Sequence, residues 1–239
     1  MSAATGDIWV YLATSPLSWL TLTLVAYQAG LTMHHRLGRN PLLNPVLIAI
    51  ILVALLLSAT HTDYQTYFAG AQFIHFLLGP ATVALAVPLW RQFALVRRSW
   101  PALTAALLAG SLTAAGSAVG IGWLLGATEA TLVSLAPKSA TAPVAMAIAE
   151  QLGGLPTLTA VLVILTGITG AALGTAVLRL IGVRDDRAVG FAIGLTAHGI
   201  GTARALQVSE TAAAFSGLAM GLNALATSVL LPLLWALLR

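Results

Sequence analysis

The 239 residues are 59% hydrophobic and only 8% charged, and the mean hydropathy is +0.94. A soluble surface normally carries roughly a quarter charged residues, so this composition predicts an integral membrane protein. The net charge of +4 does not indicate nucleic acid, because the few basic residues cluster near the ends of apolar segments, as the positive-inside rule requires.

The apolar segments predict about seven transmembrane helices, since one span needs about 20 apolar residues. The eight segments in chain order are Pro16 to Leu31, Pro41 to Ser58, Tyr67 to Trp90, Pro101 to Gly126, Thr131 to Gly154, Pro156 to Leu180, Ala188 to Leu206 and Ala212 to Leu238. Seven are expected to span the membrane, and Thr131 to Gly154 is expected to be a re-entrant or broken segment. His34 and His35 follow the first segment, and we expect them in a solvated loop. The expected fold class is an all-α membrane domain of residues 1–239, without a separate soluble domain.

Three of these segments contain residues that interrupt a helix. They are Gly79-Pro80-Ala81-Thr82, the run from Pro137 to Pro143, and His198-Gly199-Ile200-Gly201-Thr202. Proline removes a backbone donor, and glycine weakens a helix. Broken helices at membrane depth are tolerated where they are packed in protein or line a wet cavity. The interruptions therefore predict discontinuous helices around a substrate site.

Pairs of glycine four residues apart predict close helix packing and carry no information about substrate. The pairs are Gly116/Gly120, Gly170/Gly174, Gly190/Gly194 and Gly217/Gly221.

The basic clusters predict an orientation. If the clusters are cytoplasmic, the loops at Asp63, Glu129 and Glu210 face outward. The clusters are Arg36, Arg91 to Arg98, Arg179 to Arg187, and Arg239. An odd number of crossings must then join Glu129 to Arg179. The segment from Pro156 to Leu180 supplies one clear crossing. The segment from Thr131 to Gly154 is therefore expected to enter and leave on the same side as a re-entrant hairpin, with a full discontinuous span as the alternative.

Two short matches predict an internal repeat. Pro41-Leu42-Leu43-Asn44-Pro45-Val46-Leu47 is similar to Pro156-Thr157-Leu158-Thr159-Ala160-Val161-Leu162, and Gly79-Pro80-Ala81-Thr82-Val83-Ala84 is similar to Gly199-Ile200-Gly201-Thr202-Ala203-Arg204. In the expected orientation the two units begin on opposite sides of the membrane. The prediction is an inverted repeat with halves of approximately 41–126 and 156–239, as in many secondary transporters.

The interruptions favour binding of a small organic anion. Lys138 and Arg204 are the two basic residues that the orientation does not explain, and we expect them to bind one carboxylate together. Thr141-Ala142-Pro143 is a helix-start pattern, Thr202 is a candidate cap for a second half-helix, and helix starts attract anions. The candidate substrate-binding residues are Lys138, Ser139, Thr141, His198, Gly201, Thr202 and Arg204, with Asn44 and Thr82 from the first repeat. The alternative for Arg204 is that it extends to the membrane interface from a helix end.

Enzyme chemistry is not expected. The predicted spans contain no carboxylate pair and no histidine cluster with metal-ligand spacing, and the chain has no cysteine for a thiol or zinc site. We therefore expect neither a cofactor nor a metal. His75 and His198 are candidates for carrying a proton with the anion, and exchange of anions without a proton is the alternative.

Several motifs resemble the LrgB/CidB family of bacterial inner-membrane proteins, over most of the chain from about Pro41. They are Leu78-Gly79-Pro80-Ala81-Thr82-Val83-Ala84-Leu85-Ala86, Ala136-Pro137-Lys138-Ser139-Ala140-Thr141-Ala142-Pro143-Val144-Ala145-Met146, Gly153-Gly154-Leu155-Pro156, His198-Gly199-Ile200-Gly201-Thr202-Ala203-Arg204-Ala205 and Gly217-Leu218-Ala219-Met220-Gly221. The chain departs from the family pattern at Ala140 and Ala142, where relatives often carry a β-branched or hydroxyl residue. That departure leaves the substrate preference open.

The resemblance implies one of two functions. Family members are described as antiholin-like regulators of murein hydrolase export and cell lysis, beside a small LrgA/CidA membrane protein. A plant relative exchanges glycolate and glycerate, and bacterial members are linked to pyruvate uptake. We predict a homo-oligomeric transporter of small monocarboxylates in the inner membrane. The alternative is a lysis regulator that assembles with an LrgA/CidA-like partner. Transport requires Lys138 and Arg204 to reach an aqueous anion, whereas a regulator requires only packing faces.

Overall fold

A computed structural model describes residues 15–37, 45–77, 80, 83, 84 and 86–238. Within these residues the chain forms helices and turns and no strand, which confirms the all-α fold class. The helices are α1 Pro16–Arg36, α2 Pro45–Thr60, α3 Tyr64–Phe76, α4 Ala86–Arg91, α5 Phe93–Leu124, α6 Glu129–Leu135, α7 Ala142–Leu152, α8 Pro156–Leu180, α9 Asp186–Leu206 and α10 Glu210–Leu238. Asn44 and Thr82 lie outside the described residues, and so does the side chain of His75.

The chain divides into two compact units, Met1–Ala84 and Leu85–Arg239. In the first unit, Trp19 of α1 packs edge-on against Tyr67 of α3, and Tyr67 shares a 3.1 Å hydrogen bond with Thr23. The prediction of a loop at His34 and His35 is wrong, and of the two side chains only His35 is exposed as expected. Helix α1 continues through His34 and His35, and His34 is buried at 6% exposure.

Three helices of the second unit are long and apolar enough to cross a membrane, namely α5, α8 and α10. They are the only such helices among the described residues, so the predicted count of about seven is not reproduced there. Helix α5 also begins earlier than expected. It starts at Phe93 and contains Pro101 in its interior, so Arg97 and Arg98 are helical residues and do not lie in a loop.

Helices α5 and α10 run in the same direction. Leu103 and Phe215 share a buried cluster, and further along both helices Ser111 hydrogen-bonds Asn223 at 2.6 Å. At the start of both helices, Arg91, the last residue of α4, forms a 2.9 Å ion pair with Glu210, the first residue of α10. The predicted orientation, which put these two residues on opposite sides of the membrane, is therefore wrong. We call this end of the second unit, where Arg91, Arg98 and Arg187 lie, the basic end.

The segment after α5 is interrupted between Leu135 and Ala142, within the run from Pro137 to Pro143 that was predicted to break a helix. Helices α6 and α7 have 7 and 11 residues, or about 10 and 16 Å, against about 30 Å for a bilayer core. The chain then returns to the last turn of α6, because the Leu155 amide donates to Ser134 Oγ at 2.8 Å and Thr159 Oγ1 donates to the Ser134 carbonyl at 3.2 Å. Residues 129–152 thus form a first hairpin, which enters from the end opposite the basic end.

Helix α9, expected to be a span, is a second hairpin. His198 leaves helical geometry, with φ 41° and ψ −135°. A Cβ placed on Gly201 would lie 2.8 Å from Ile193 Cγ2, although residues this far apart are separated by about 12 Å along a straight helix. The backbone therefore reverses at His198, and the lack of a side chain at Gly201 lets the two arms touch.

Both arms of α9 lie beside the first turns of α10. On the first arm, Gly190 and Gly194 approach the backbone of Ala212 and Ser216. On the second arm, Thr202 Oγ1 shares a 2.9 Å hydrogen bond with Ser216 Oγ. The second hairpin, residues 186–206, therefore begins and ends at the basic end, and the prediction of a span over Ala188 to Leu206 is wrong.

Candidate functional site

The tips of the two hairpins meet at Val163, in the first third of α8. On the first hairpin, Ala140 and Ala145 form a buried cluster with the Val163 side chain. On the second, the His198 Nε2–H donates to the Val163 carbonyl at 2.8 Å. The two hairpins enter from opposite ends, so their interrupted backbones come together within the second unit.

Asn223 of α10 joins the two tips. Its Nδ2 donates to the Ser139 carbonyl and to the Leu195 carbonyl, both at 3.0 Å. Its Oδ1 accepts from Ser111 at 2.6 Å and from Thr227 at 3.4 Å. Carbonyls at helix ends have lost their intrahelical partners, and a buried unpaired carbonyl is costly. One amide group, 1% exposed, thus satisfies a carbonyl from each interruption.

Asn223 was not among the predicted site residues. The signal for it is present in the sequence, since an asparagine occurs in the middle of an apolar segment where polar side chains are rare. Val163 carries no such signal, because its contribution is a backbone carbonyl and a small apolar side chain. Only the arrangement of the hairpins shows its position.

The first hairpin tip presents a cation and free donors. Lys138 is half-buried in the turn before α7. Ser139 is 7% exposed, and its Oγ has no hydrogen-bond partner among the described residues. Thr141 is the N-cap of α7, as predicted, but its side chain makes no capping bond. The start of α7 therefore keeps its unpaired amide donors and its positive dipole end near Lys138.

The second hairpin tip is occupied by the His198 ring. A Cβ at Gly167 of α8 would lie 2.6 Å from His198 Cε1, so glycine makes the space for the imidazole. Thr202 lies four residues into the return arm, where its hydroxyl donates to the His198 carbonyl at 2.9 Å. The prediction that Thr202 caps a half-helix is wrong, because the helix has already begun when the chain reaches it.

Arg204 lies in the last turn of α9, toward the basic end. Its Nη1 donates to Gln207 Oε1 at 2.7 Å, and its Nε is buried without a partner in the described part of the chain. This position is compatible with extension to the membrane interface. The prediction that Arg204 and Lys138 bind one carboxylate together stays a prediction.

Known proteins match this chain over nearly its whole length. A family model described as the LrgB-like family matches residues 23–237. The uncharacterized protein YxaC of Bacillus subtilis is 36% identical over 214 residues, which cover 90% of this chain and 93% of that protein. The holin-like protein CidB of Staphylococcus epidermidis is 33% identical over 215 residues, with coverage of 90% and 93%.

The antiholin-like protein LrgB of Bacillus mycoides is 28% identical over 219 residues, covering 92% of this chain and 95% of that protein. No solved structure matches the chain. The family match and the three apolar helices together identify a membrane protein. The motifs at both hairpin tips lie inside the matched region, and the chain belongs to the LrgB-like family.

Proposed function

We propose that this protein transports small monocarboxylates, of the glycolate, glycerate, pyruvate and lactate class, across the bacterial inner membrane. The observation that carries the proposal is the meeting of two broken hairpins, which enter from opposite ends, at Asn223. Secondary transporters place their sites where discontinuous helices from inverted repeats meet near the bilayer midplane. We further propose that α5 with the first hairpin and α8 with the second form such a repeat, in place of halves at 41–126 and 156–239.

The proposed substrate group is a carboxylate at the start of α7. The helix dipole, the Lys138 ammonium and the Ser139 hydroxyl all favour an anion at this point. A buried hydroxyl without a partner costs free energy unless a ligand or water completes its hydrogen bonding. The hydroxyl suits a substrate with an oxygen on the carbon next to the carboxylate, as in 2-hydroxy and 2-keto acids. Proton coupling through His198 and a contribution from Arg204 remain part of this proposal.

The second candidate is an antiholin-like regulator of murein hydrolase activity that acts with a small LrgA/CidA-like membrane protein. The names of the relatives CidB and LrgB favour it. The two functions make different demands on the hairpin tips. A regulator needs them only to fold, whereas a transporter needs Lys138 and Ser139 to contact a solute.

Uptake of labelled glycolate or pyruvate into proteoliposomes that hold this chain alone tests the proposal. We expect Lys138→Ala to lower uptake at least about tenfold, and Ser139→Ala to raise KM by about threefold to tenfold, the scale of one or two hydrogen bonds. Matched controls are Arg179→Ala, which removes an exposed cation at the end of α8, and Thr175→Val, which removes another buried unpaired hydroxyl. Both controls should transport normally.

The chain contains a single lysine, which permits a second measurement. An amine-reactive probe can modify only Lys138 and the amino terminus, and glycolate or pyruvate should slow modification of Lys138 without affecting the terminus. Wild-type protein that neither transports these acids nor is protected by them, while folding normally, would favour the regulator.

A further inference from the structure

A groove separate from the hairpin tips opens between α5 and the first arm of α9. Its volume is about 640 Å³, within the range of sites that hold small organic ligands. It begins at Arg98, Asp185 and Arg187, and it ends at Gly110 and Leu195. The groove thus runs from the basic end toward the middle of the second unit.

Small side chains produce the groove. Ala102, Ala106 and Gly110 recur at one-turn intervals on α5, and Ala188 and Ala192 do so on α9. The floor consists of larger buried residues, Phe191 and Phe215 among them. The inner end is closed where Gly110 meets Leu195, since a Cβ on Gly110 would lie 2.9 Å from the Leu195 side chain. An apolar and elongated space of this kind suits a hydrocarbon chain better than water.

The rim at the basic end is positively charged. Arg98 is exposed, and among the described residues it has no ion-pair partner. Asp185 is neutralised, because Arg187 Nε donates to both of its carboxylate oxygens, at 2.9 and 3.1 Å. The guanidinium of Arg187 lowers the pKa of Asp185 to about 2, so this pair persists at neutral pH. The rim therefore presents the charge of Arg98 to any headgroup at the groove mouth.

The length of the groove matches one leaflet. From Arg98 to Gly110 the α5 backbone rises about 18 Å, and half of a bilayer's hydrocarbon thickness is about 15 Å. We infer that this groove holds one acyl chain of an anionic phospholipid from the leaflet at the basic end, with the lipid phosphate at Arg98. Arginine binds phosphate through two parallel hydrogen bonds. The preference for an anionic lipid comes from net charge, because a zwitterionic headgroup adds an ammonium that repels the Arg98 cation.

Native mass spectrometry of the detergent-purified chain tests this inference. The protein is mixed with equal amounts of phosphatidylglycerol and phosphatidylethanolamine that carry the same acyl chains. We expect one phosphatidylglycerol to be retained about tenfold more than phosphatidylethanolamine, and Arg98→Ala to abolish the preference. The matched control is Arg97→Ala, an exposed neighbour that does not line the groove. Its preference should equal that of the wild type.

A second pair of variants tests the acyl position. Ala106→Phe fills the groove and should reduce retention of both lipids, whereas Ala105→Phe, on the neighbouring exposed position outside the groove, should not. Equal lipid retention by these two variants, or equal effects of Arg97→Ala and Arg98→Ala, would overturn the inference. Because the native chain lacks cysteine, Ala106→Cys offers a further check. Dimers formed by a bifunctional maleimide would show that a second copy occupies the groove in place of a lipid.

Discussion

At the scale of single residues, the hairpin tips depend on polar groups that satisfy interrupted backbone. Asn223 donates one hydrogen bond to each tip, and His198 donates to the carbonyl of Val163. Burying such groups without partners costs about 1–3 kcal/mol each, so each donor removed leaves its carbonyl unpaired. The site residues nearest the tips are therefore structural as well as candidates for substrate contact.

Asn223→Leu should destabilise the protein by about 2–6 kcal/mol, since two buried carbonyls lose their donor. The measurement is thermal or denaturant unfolding in detergent. Ser228→Ala, a change at an exposed position of the same helix, serves as the control and should be nearly neutral. Similar stability of Asn223→Leu and wild type would mean that other groups or water satisfy both carbonyls.

At the scale of elements, glycine sets how closely the second hairpin approaches α10. A Cβ on Gly194 would lie 2.1 Å from the Ser216 carbonyl oxygen, and one on Gly190 would lie 2.2 Å from the Ala212 carbonyl oxygen. The prediction that this glycine pair serves helix packing is confirmed, and so is that for Gly170, which faces Ala197. In contrast, a Cβ on Gly116, Gly120 or Gly221 would meet nothing within 4 Å in the described structure.

Gly194→Ala should destabilise the protein by about 1–3 kcal/mol, because a backbone oxygen cannot move aside as a flexible side chain does. Gly221→Ala, in the open position on α10, should be neutral or slightly stabilising through better helix propensity. Unfolding midpoints of the two variants in the same detergent measure the difference. If Gly221→Ala lost stability and Gly194→Ala did not, α9 and α10 would not be packed in this way.

At the scale of the whole molecule, the second unit contains two hairpins, one where a re-entrant hairpin was expected and one in place of the expected crossing over Ala188 to Leu206. The cysteine-free chain allows single cysteines to be placed at Thr128, Gln151, Arg184 and Ser209 and probed with an impermeant thiol reagent. We expect 128 and 151 to label from one side of the membrane, and 184 and 209 from the other. A full span by α9 would instead move Ser209 to the side of Thr128, and a full span between α6 and α8 would move Gln151 to the side of Arg184.

The sequence by itself determined the membrane class, the helical fold, the family and the positions of two interruptions, whereas the third, at Gly79 to Thr82, lies largely outside the described residues. These properties follow from composition and from local chemistry, because proline and glycine act on their own backbone wherever the chain goes. It also predicted the interruption that contains Lys138 and Ser139, and the turn before α7 follows from the prolines on either side.

Only the tertiary structure decided the direction in which each interrupted helix continued. Hydropathy is the same for a span and for a hairpin of equal length, and the positive-inside count fixes only the sides of loops, so Glu210 was placed opposite Arg91 although the two form an ion pair. The reversal at His198 depends on contacts with Val163 and across Gly201, from residues distant in the chain. Asn223 joins both tips for the same reason: three of its four hydrogen-bond partners come from α5, from the turn before α7 and from α9, and no local pattern specifies those three.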